Sequence, residues 1–437
     1  MIYIYTDIIT PRIEYVCHIL FNIILQTEFQ LCLPSKQINS NQNAVINYST
    51  QNILNALNIP CSGILSETNI RKNFDLSHLI QSFPIIDTTE FSQNQIKHDL
   101  FAICFCLLSE YEHYANPIFD KHGRYDEKSY IHSNELKKTP FVHEVAEAFW
   151  TAMQNKNPNL FRQQRSFDFE YTFDLDAPWE YLHKSWSINA LGWIKDALYL
   201  KRERWMRRFK TLLHIQKDAF DTYDFIFQHV PKEKLVFFIL LNRTCAEDGR
   251  HLYNNPNWIR KIRSLASSSK LGVHPSYQTF LNPSLLAFET QSLEKIQGFP
   301  VKRGRQHYLR YRLPATYRAY EDSNLMENYT PCPVFFCGFT HGMALPFPWF
   351  DLEKNQVGKM YLHPSQVMDR ALLDYMHTSP EEAKAHLTKV VKLTKAVGGK
   401  FVALWHNDSL SEVNEWKGWR SVFIFLAKLL AETHANA

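Results

Sequence analysis

The sequence SFDFEYTFDLDAP, at residues 166–178, joins a short apolar strand pattern to two acidic residues. The apolar residues of 167–173 predict a β-strand, and Asp174 and Asp176 follow it directly. Side chains two residues apart on an extended chain point to the same side, so both carboxylates can bind one cation, or one can remain free as a base. The Asp-Ala-Pro ending also suits a turn or a helix N-cap, and the spacing alone does not choose.

Downstream of residue 165, short apolar segments alternate with helical patterns. The predicted strands are 167–173, 235–241, 271–273, 307–311, 334–339 and 401–405. The predicted helices are 188–215, 256–267, 285–296, 316–323, 364–377, 380–397 and 419–434. Strands separated by helices indicate βα units with a parallel sheet, and about six or seven strands favour a barrel or a distorted barrel.

Polar side chains follow three of these predicted strands. Asp174 and Asp176 follow the first, His274 follows LGV, and His406 follows FVALW. In (β/α) barrels the C-terminal strand ends form the rim where catalytic groups collect, because the loops there vary while the core packs. Three such positions together therefore predict an active site at this rim.

Further candidates are single residues with polar side chains. Pro275 restricts His274 to extended backbone, which suits a metal ligand at a strand end. Arg305 can keep a neighbouring carboxylate ionised, and His307 and His406 can carry protons near neutral pH. Taken one at a time, each of these is better explained as a hydrogen-bonded structural residue.

The chain of 437 residues exceeds a single compact core, which predicts two domains. A polar segment, NKNPN at 155–159, follows a predicted helix at 141–154 and indicates a domain boundary. We therefore expect a smaller α+β domain at residues 1–150 and an α/β domain at residues 160–437.

Composition excludes several classes of function. Only 13 glycines argue against nucleotide-binding loops, and a net charge of +4 is too mild to imply nucleic acid. The basic run KRERWMRRFK at 201–210 is interpreted as a solvated helix face. Eight scattered cysteines without CxxC spacing predict free thiols and no structural zinc site. Residues 1–26 lack signal-peptide features, and no long apolar run predicts a membrane span, so we expect a cytoplasmic protein.

A family resemblance adds to this interpretation. TFDLDAP, LGVHPSY, RQHYLR with PATY, and LWHN resemble, in order, the motifs of polysaccharide deacetylases (carbohydrate esterase family 4, the NodB-homology fold). The chain is more similar to a subgroup with an N-terminal domain of unknown function. Its motifs stand here as FAICFCLLSEYE (101–112), HGR (122–124), HPSY (274–277), RQHYLR (305–310), PFPWFDL (346–352) and LWHN (404–407), so the resemblance covers essentially the whole chain.

The resemblance implies a distorted (β/α)7 barrel at residues 160–437. It also implies a metal-assisted hydrolase that removes acetyl groups from N-acetylated sugars or polysaccharide precursors. Asp174 matches the catalytic base and Arg305 the arginine that orients it, whereas His406 matches the catalytic acid. Asp176 and His274 match ligands of a divalent metal ion, of which zinc is the first expectation. The expected partner is a carbohydrate substrate, without nucleic acid.

Two departures from the family pattern keep alternatives open. Lys270 stands where HxxxHP has its first histidine, so His251 and His307 are candidates for a third ligand. Thr340 or His341 stands where the subgroup has an arginine. A catalytically silent glycan-binding barrel, in which the Lys270 ammonium fills the place of the cation beside Asp176, is one alternative. A metal-independent amidohydrolase is the other.

Overall fold

The computed structural model describes residues 1–33, 44–80, 84–249 and 254–435. Its first sheet consists of four described strands, all parallel, in the order β2-β1-β3-β4. These strands are β1 (Ile2–Thr6), β2 (Phe29–Cys32), β3 (Ala44–Tyr48) and β4 (Leu57–Asn58). An all-parallel sheet is the arrangement of α/β rather than of α+β structures, so the expectation of an α+β unit here is corrected.

Six α-helices belong to the described residues of the N-terminal part. They are α1 (Pro11–Cys17), α2 (Thr88–Ser92), α3 (Leu100–Leu108), α4 (Tyr111–Ala115), α5 (Ile131–Leu136) and α6 (Phe141–Lys156). Helices α3 and α6 contact β3 of this sheet. Helix α3 is buried along its whole length because its sequence, LFAICFCLL, has no polar face. The Asp99 side chain begins it by accepting a hydrogen bond from the Ala102 backbone N–H at 2.9 Å.

The second sheet contains nine described strands in the order β10-β11-β9-β8-β7-β6-β5-β13-β12. In chain order they are β5 (Asp168–Leu175), β6 (Leu235–Ile239), β7 (Lys270–Val273), β8 (Arg303–Gly304), β9 (Glu327–Asn328), β10 (Phe347–Asp351), β11 (Gln356–Leu362), β12 (Val367–Met368) and β13 (Lys400–His406). All neighbouring pairs are parallel except β10 and β11.

Eight helices accompany this second sheet in the described residues. They are α7 (Trp186–Leu198), α8 (Arg202–Leu212), α9 (Tyr223–His229), α10 (Pro256–Ala266), α11 (Pro283–Gln297), α12 (Ala315–Asp322), α13 (Pro380–Ala396) and α14 (Trp419–Ala435). Helix α13 begins where the sequence favours it, with Ser379 and Glu382 forming a capping box and Pro380 in the first turn. Phe423 of α14 packs against Trp405 and Phe173 beneath the central strands.

The α/β class is confirmed, but the closed barrel is not. Strands β10 and β12 end the sheet, and no hydrogen-bonded ladder joins them among the residues described. The predicted strands at 307–311 and 334–339 and the predicted helix at 364–377 are also wrong. A 3₁₀ turn, His307–Leu309, replaces the first, and β12 followed by a wide helical turn, Ala371–Tyr375, replaces the last. Val334 and its neighbours form bends without strand pairing.

The cysteines and the helices bear on the predictions of free thiols and of no membrane span. All eight cysteines are free thiols, and five of them are buried. Within the described ranges, no helix combines the length and the apolar character that spanning a bilayer requires.

Candidate metal centre

The candidate site lies at the C-terminal ends of four parallel strands, β8, β7, β5 and β13, with β6 between β7 and β5. His406 on β13 is paired in register with Asp174 on β5. His274 directly follows β7, and Arg305 directly follows β8. The sheet order therefore brings these side chains together at the C-terminal edge, as their strand-end positions predict. A cleft of about 390 Å³ is lined by Asp174, His274 and His406 together with Arg124, Asp176, Glu247, His307, Tyr308, Leu309, Met368, Arg370, Asp374 and Tyr375.

Asp176, His274 and His307 form a group that could hold a metal ion. One ligand atom from each lies within 4.8 Å of the other two. Asp176 Oδ1 is 3.1 Å from His274 Nε2, and Asp176 Oδ2 is 3.5 Å from His307 Nε2. Both histidines are buried. Two imidazoles and a carboxylate are a ligand set typical of zinc.

Hydrogen bonds on the far side of each ring fix the histidines for this role. His274 Nδ1 is 2.5 Å from the Arg305 carbonyl oxygen, which can only accept, so Nδ1 carries a proton and, in the neutral ring, Nε2 has a lone pair. The buried Asp176 Oδ1 has no hydrogen-bond donor, although it faces that Nε2. Two facing lone pairs repel unless a cation lies between them. The donor set therefore fits a divalent metal.

Asp248 supports His307 in the same manner. Asp248 Oδ1 is 2.9 Å from His307 Nδ1, and the same oxygen accepts from the Tyr277 backbone N–H at 2.7 Å. Burial disfavours the charged ring of His307, but Asp176 and Asp248 outweigh it and raise its pKa to about 9. A carboxylate behind a ligating imidazole orients the ring and increases its basicity, which is the usual support of a metal ligand.

Asp174 and Arg305 form a buried ion pair beside the metal group. Arg305 Nη1 donates to Asp174 Oδ1 at 2.8 Å, and both side chains are almost completely inaccessible. The rest of the guanidinium is fixed by the Tyr329 carbonyl at 2.9 Å and the Ser365 hydroxyl at 3.0 Å. Asp174 Oδ2 is 3.6 Å from His274 Nε2. The pair therefore holds one carboxylate oxygen toward the group of ligands.

His406 faces the same group from β13, the strand next to β5. Its Nε2 is 3.7 Å from Asp176 Oδ2, and its Nδ1 is 2.8 Å from Asp369 Oδ1. Asp369 Oδ2 also accepts from the His406 backbone N–H at 2.7 Å. Burial disfavours the imidazolium, but the Asp369 carboxylate outweighs it and raises the pKa of His406 to about 10. His406 is thus a proton donor held by a buried acid.

Lys270 lies at the opposite end of its strand from the site. It is the first residue of β7, and four residues of extended chain, about 13 Å, separate it from His274. Its Nζ is 3.0 Å from Glu170 Oε1. Burial opposes ionisation of Glu170, but Lys400 and Lys270 lower its pKa to about 2. The suggestion that the Lys270 ammonium occupies the cation's place beside Asp176 is therefore wrong.

The remaining residues named from the family pattern lie in different parts of the molecule. His307 lies in the ligand group, as one of the two candidates for a third ligand, whereas His251 lies outside the described residues. His341 lies away from the cleft, with its Nε2 3.4 Å from Glu110 Oε2. Thr340 lines a separate cavity between the two sheets' regions. Neither occupies the cleft in place of an arginine.

Three residues of the site are missed by the sequence argument. Asp248 and Asp369 act from behind the histidines; Asp248 stands in a turn and Asp369 at the start of a helical turn, and no spacing in the sequence marks either. Asp369 follows the two-residue strand β12, so a strand-end argument applied to shorter apolar segments could have found it. Arg124 belongs to the HGR motif, whose sequence alone suggests no role. It reaches the cleft from the N-terminal part.

Comparison with known proteins gives a match at the N-terminal end. Residues 2–158, about the first third of the chain, match a family of unknown function, DUF7033. No curated protein matches the chain.

Two solved structures resemble parts of the molecule. One is a "putative polysaccharide deacetylase" from Mycobacterium smegmatis, with 14% identity, a TM-score of 0.39, and coverage of 63% of this chain and 86% of that chain. The other is a 4-alpha-glucanotransferase from Thermococcus litoralis, with 11% identity, a TM-score of 0.37, and coverage of 62% of this chain and 38% of that chain. TM-scores this low do not establish a shared fold.

Proposed function

We propose that the protein is a metal-assisted hydrolase that removes acetyl groups from N-acetylated sugars or polysaccharide precursors. The observation that carries the proposal is the ligand group Asp176, His274 and His307, flanked by the Asp174–Arg305 and His406–Asp369 pairs. In this proposal residues 160–437 form a deacetylase-like unit of the (β/α)7 type behind an N-terminal domain at 1–150. The sequence motifs support the same assignment.

Asp176, His274 and His307 would hold a divalent cation, with zinc the first candidate. Such a cation supplies Lewis acidity for an amide carbonyl and for an attacking water. Asp174 accepts the proton of that water, because Arg305 and the buried setting keep its free oxygen aimed at the ligand group. His406 donates a proton to the departing sugar amine, since Asp369 keeps the ring protonated.

The cleft offers surfaces that suit a sugar. Tyr308 and Tyr375 line it, and aromatic rings pack well against the apolar faces of saccharides. Arg124 and Arg370 add hydrogen-bond donors at its wall. We propose a carbohydrate as the substrate on this combination of aromatic faces and donors around the catalytic groups.

The test combines metal content with acetate release. Purified full-length protein is analysed for bound metal and then assayed on N-acetylglucosamine oligomers with added zinc, cobalt or nickel. We expect near-stoichiometric metal and released acetate. Asp174→Asn should lower kcat by about a hundredfold or more while metal content stays unchanged, because the base is lost but the ligands remain.

Asp168→Asn is the matched control, because Asp168 stands on the same strand at the end remote from the cleft, paired with Lys234. It should leave activity unchanged. Glycan binding without metal or acetate release would support the silent glycan-binding alternative instead. Hydrolysis that persists in His274→Ala without bound metal would support the metal-independent amidohydrolase.

A further inference from the structure

The helices α7 and α8, with the turn at 199–201 between them, form a hairpin (residues 186–215) that exposes an unusual number of apolar side chains. Among the described residues, 26 large hydrophobic side chains are exposed, and eleven of them lie in this segment of thirty. These eleven are Trp186, Leu191, Ile194, Leu198, Tyr199, Leu200, Trp205, Met206, Phe209, Leu213 and Ile215. An apolar patch of this kind marks a surface that binds a partner or a membrane.

An ordinary surface helix buries its apolar side and exposes its polar side, and the two helices of this hairpin do the opposite. The residues that α7 and α8 bury are polar: Asn189, Asp196, Arg208 and Thr211. The Arg208 guanidinium is 2.9 Å from Asp196 and 3.2 Å from the Asn189 amide oxygen. These contacts join α7 to α8, so the polar side is used between the two helices and the apolar side is left outward.

The hairpin is also held together by specific contacts. Arg207 pairs with Glu180 at 2.7 Å. A Cβ on Gly192 would fall 2.5 Å from the Arg208 guanidinium, so a larger residue here would displace this buried group. The rings of Trp205 and Phe209 stack at 5.9 Å with nearly parallel planes. The exposed apolar groups therefore belong to an ordered element with its own packing.

Positive charge is concentrated in the same segment. Residues 186–215 contain seven lysines and arginines but only two acidic residues, an excess of +5, whereas the whole chain has a net charge of +4. The remainder of the chain is therefore slightly acidic. One of the two acids, Asp196, is already paired with Arg208 and lies 3.3 Å from Arg204. The surface thus presents cations next to apolar side chains.

The turn of the hairpin brings both properties together. Leu198, Tyr199 and Leu200 are 76%, 67% and 89% exposed, and Lys201 and Arg202 follow directly. Aliphatic side chains at a tip suit the acyl boundary of a bilayer, while adjacent lysine and arginine suit phosphate headgroups. Nucleic acid would match the cations but not the leucines. A membrane surface with anionic lipids matches both.

We propose that the α7–α8 hairpin docks the protein onto the surface of a bilayer that contains anionic phospholipids. The turn at 199–201 and the outward apolar side chains enter the headgroup region, and Lys201, Arg202 and Lys210 pair with lipid phosphates. The hairpin begins ten residues after Asp176, which follows β5 and belongs to the metal group. Docking would therefore hold the cleft near the membrane, whatever reaction the cleft performs.

The experiment is sedimentation of full-length protein with vesicles. One set contains equal parts of phosphatidylcholine and phosphatidylglycerol, and the other contains phosphatidylcholine alone. We expect binding to the anionic vesicles that weakens as salt is added. Lys201→Glu with Arg202→Glu, and separately Leu198→Ser with Leu200→Ser, should each lower the partition coefficient by about tenfold or more.

The changed side chains are exposed, so circular dichroism and melting temperature should match the wild type. Lys389→Glu with Lys392→Glu on α13, and Phe161→Ser at another exposed apolar position, are matched controls that should bind as the wild type does. Wild-type protein that ignores anionic vesicles would overturn the proposal. So would control variants that lose binding equally, a dimer that the hairpin variants dissociate in place of lipid binding, or duplex DNA that displaces the vesicles.

Discussion

At the residue scale, His307 is the ligand whose proton has to leave before a metal can bind. Asp176 and Asp248 raise its pKa to about 9 against the effect of burial. Without a metal, His307 is therefore protonated at neutral pH, and its Nε2 proton points toward Asp176. Metal ligation requires the neutral imidazole, so binding releases this proton.

Release of this proton makes metal affinity depend on pH. Because the pKa is raised, the proton is bound below about pH 9, and metal affinity should increase with pH. We expect the zinc association constant to rise about tenfold per unit between about pH 6 and pH 8, with a plateau above pH 9. Competition titration with a chromophoric chelator measures it.

Asp248→Asn provides the comparison for this prediction. Removing one of the two carboxylates lowers the pKa of His307, so the plateau should begin at a lower pH. Asp168→Asn, at the far end of β5, should leave the wild-type curve unchanged. An affinity that does not vary with pH in the wild type would contradict the assignment of His307 as a ligand.

At the scale of elements, the segment around the HGR motif connects the N-terminal part to the cleft. The Asp120 carboxylate accepts from Arg124 Nε at 2.7 Å, and Arg124 Nη2 donates to the Tyr375 hydroxyl at 3.2 Å. His122 Nδ1 is 3.1 Å from the Tyr277 hydroxyl. These contacts place an arginine from the first 150 residues in the cleft wall, where it can bind substrate without touching the ligand group.

We expect Arg124→Ala to raise KM severalfold and to leave kcat and metal content nearly unchanged. The reason is that Arg124 lines the cleft but contacts none of the proposed catalytic or metal-binding side chains. Steady-state acetate release across substrate concentration separates the two parameters. Arg71→Ala removes a similar i,i+4 ion pair, with Glu67, outside the cleft and should change neither. An unchanged KM in Arg124→Ala would contradict the role.

Helix boundaries show where local pattern was insufficient. The sequence predicts one helix at 188–215, but the chain turns at 199–201, where Leu200 has a positive φ of 51°. No glycine or proline marks this turn. The polar contacts of Asp196 and Arg208 across the hairpin favour the turn, and a pattern within one helix does not encode a contact between two.

At the scale of the whole molecule, a buried carboxylate joins the two regions of the chain. Glu110, at the end of FAICFCLLSEYE, accepts from the hydroxyls of Tyr311 and Tyr317, the latter at 3.1 Å. His113 Nδ1 is 3.1 Å from Oε1, and His341 is 3.4 Å from Oε2. Glu110 of the FAICFCLLSEYE motif and Tyr317 of the PATY motif are therefore hydrogen-bonded to each other in the interior of the molecule. This contact gives both residues a structural role.

Glu110→Gln should lower the free energy of unfolding by about 2–4 kcal/mol, because the amide keeps only one acceptor oxygen and the buried charged acceptor of the second tyrosine hydroxyl is lost. Urea denaturation followed by tryptophan fluorescence measures it. Tyr311→Phe and the double variant complete a thermodynamic cycle, whose coupling energy should be clearly above zero. Glu135→Gln, at an exposed ion pair with Lys138, is the control and should cost little. Additive single effects would contradict the coupling.

The sequence by itself determined the α/β class, the parallel β5, β6, β7 and β13, and the polar residues at their ends. Strand and helix periodicity is local, and parallel strands necessarily present their C-terminal ends at one edge. Only the tertiary structure decided that His307 joins Asp176 and His274, that Asp248 and Asp369 support the histidines, and that Lys270 points away. Those facts depend on sheet order and on loops between distant segments, so no spacing along the chain contains them. The outward apolar face of α7 and α8 was decided in the same way, because a helical pattern fixes which residues share a face but not which face is buried.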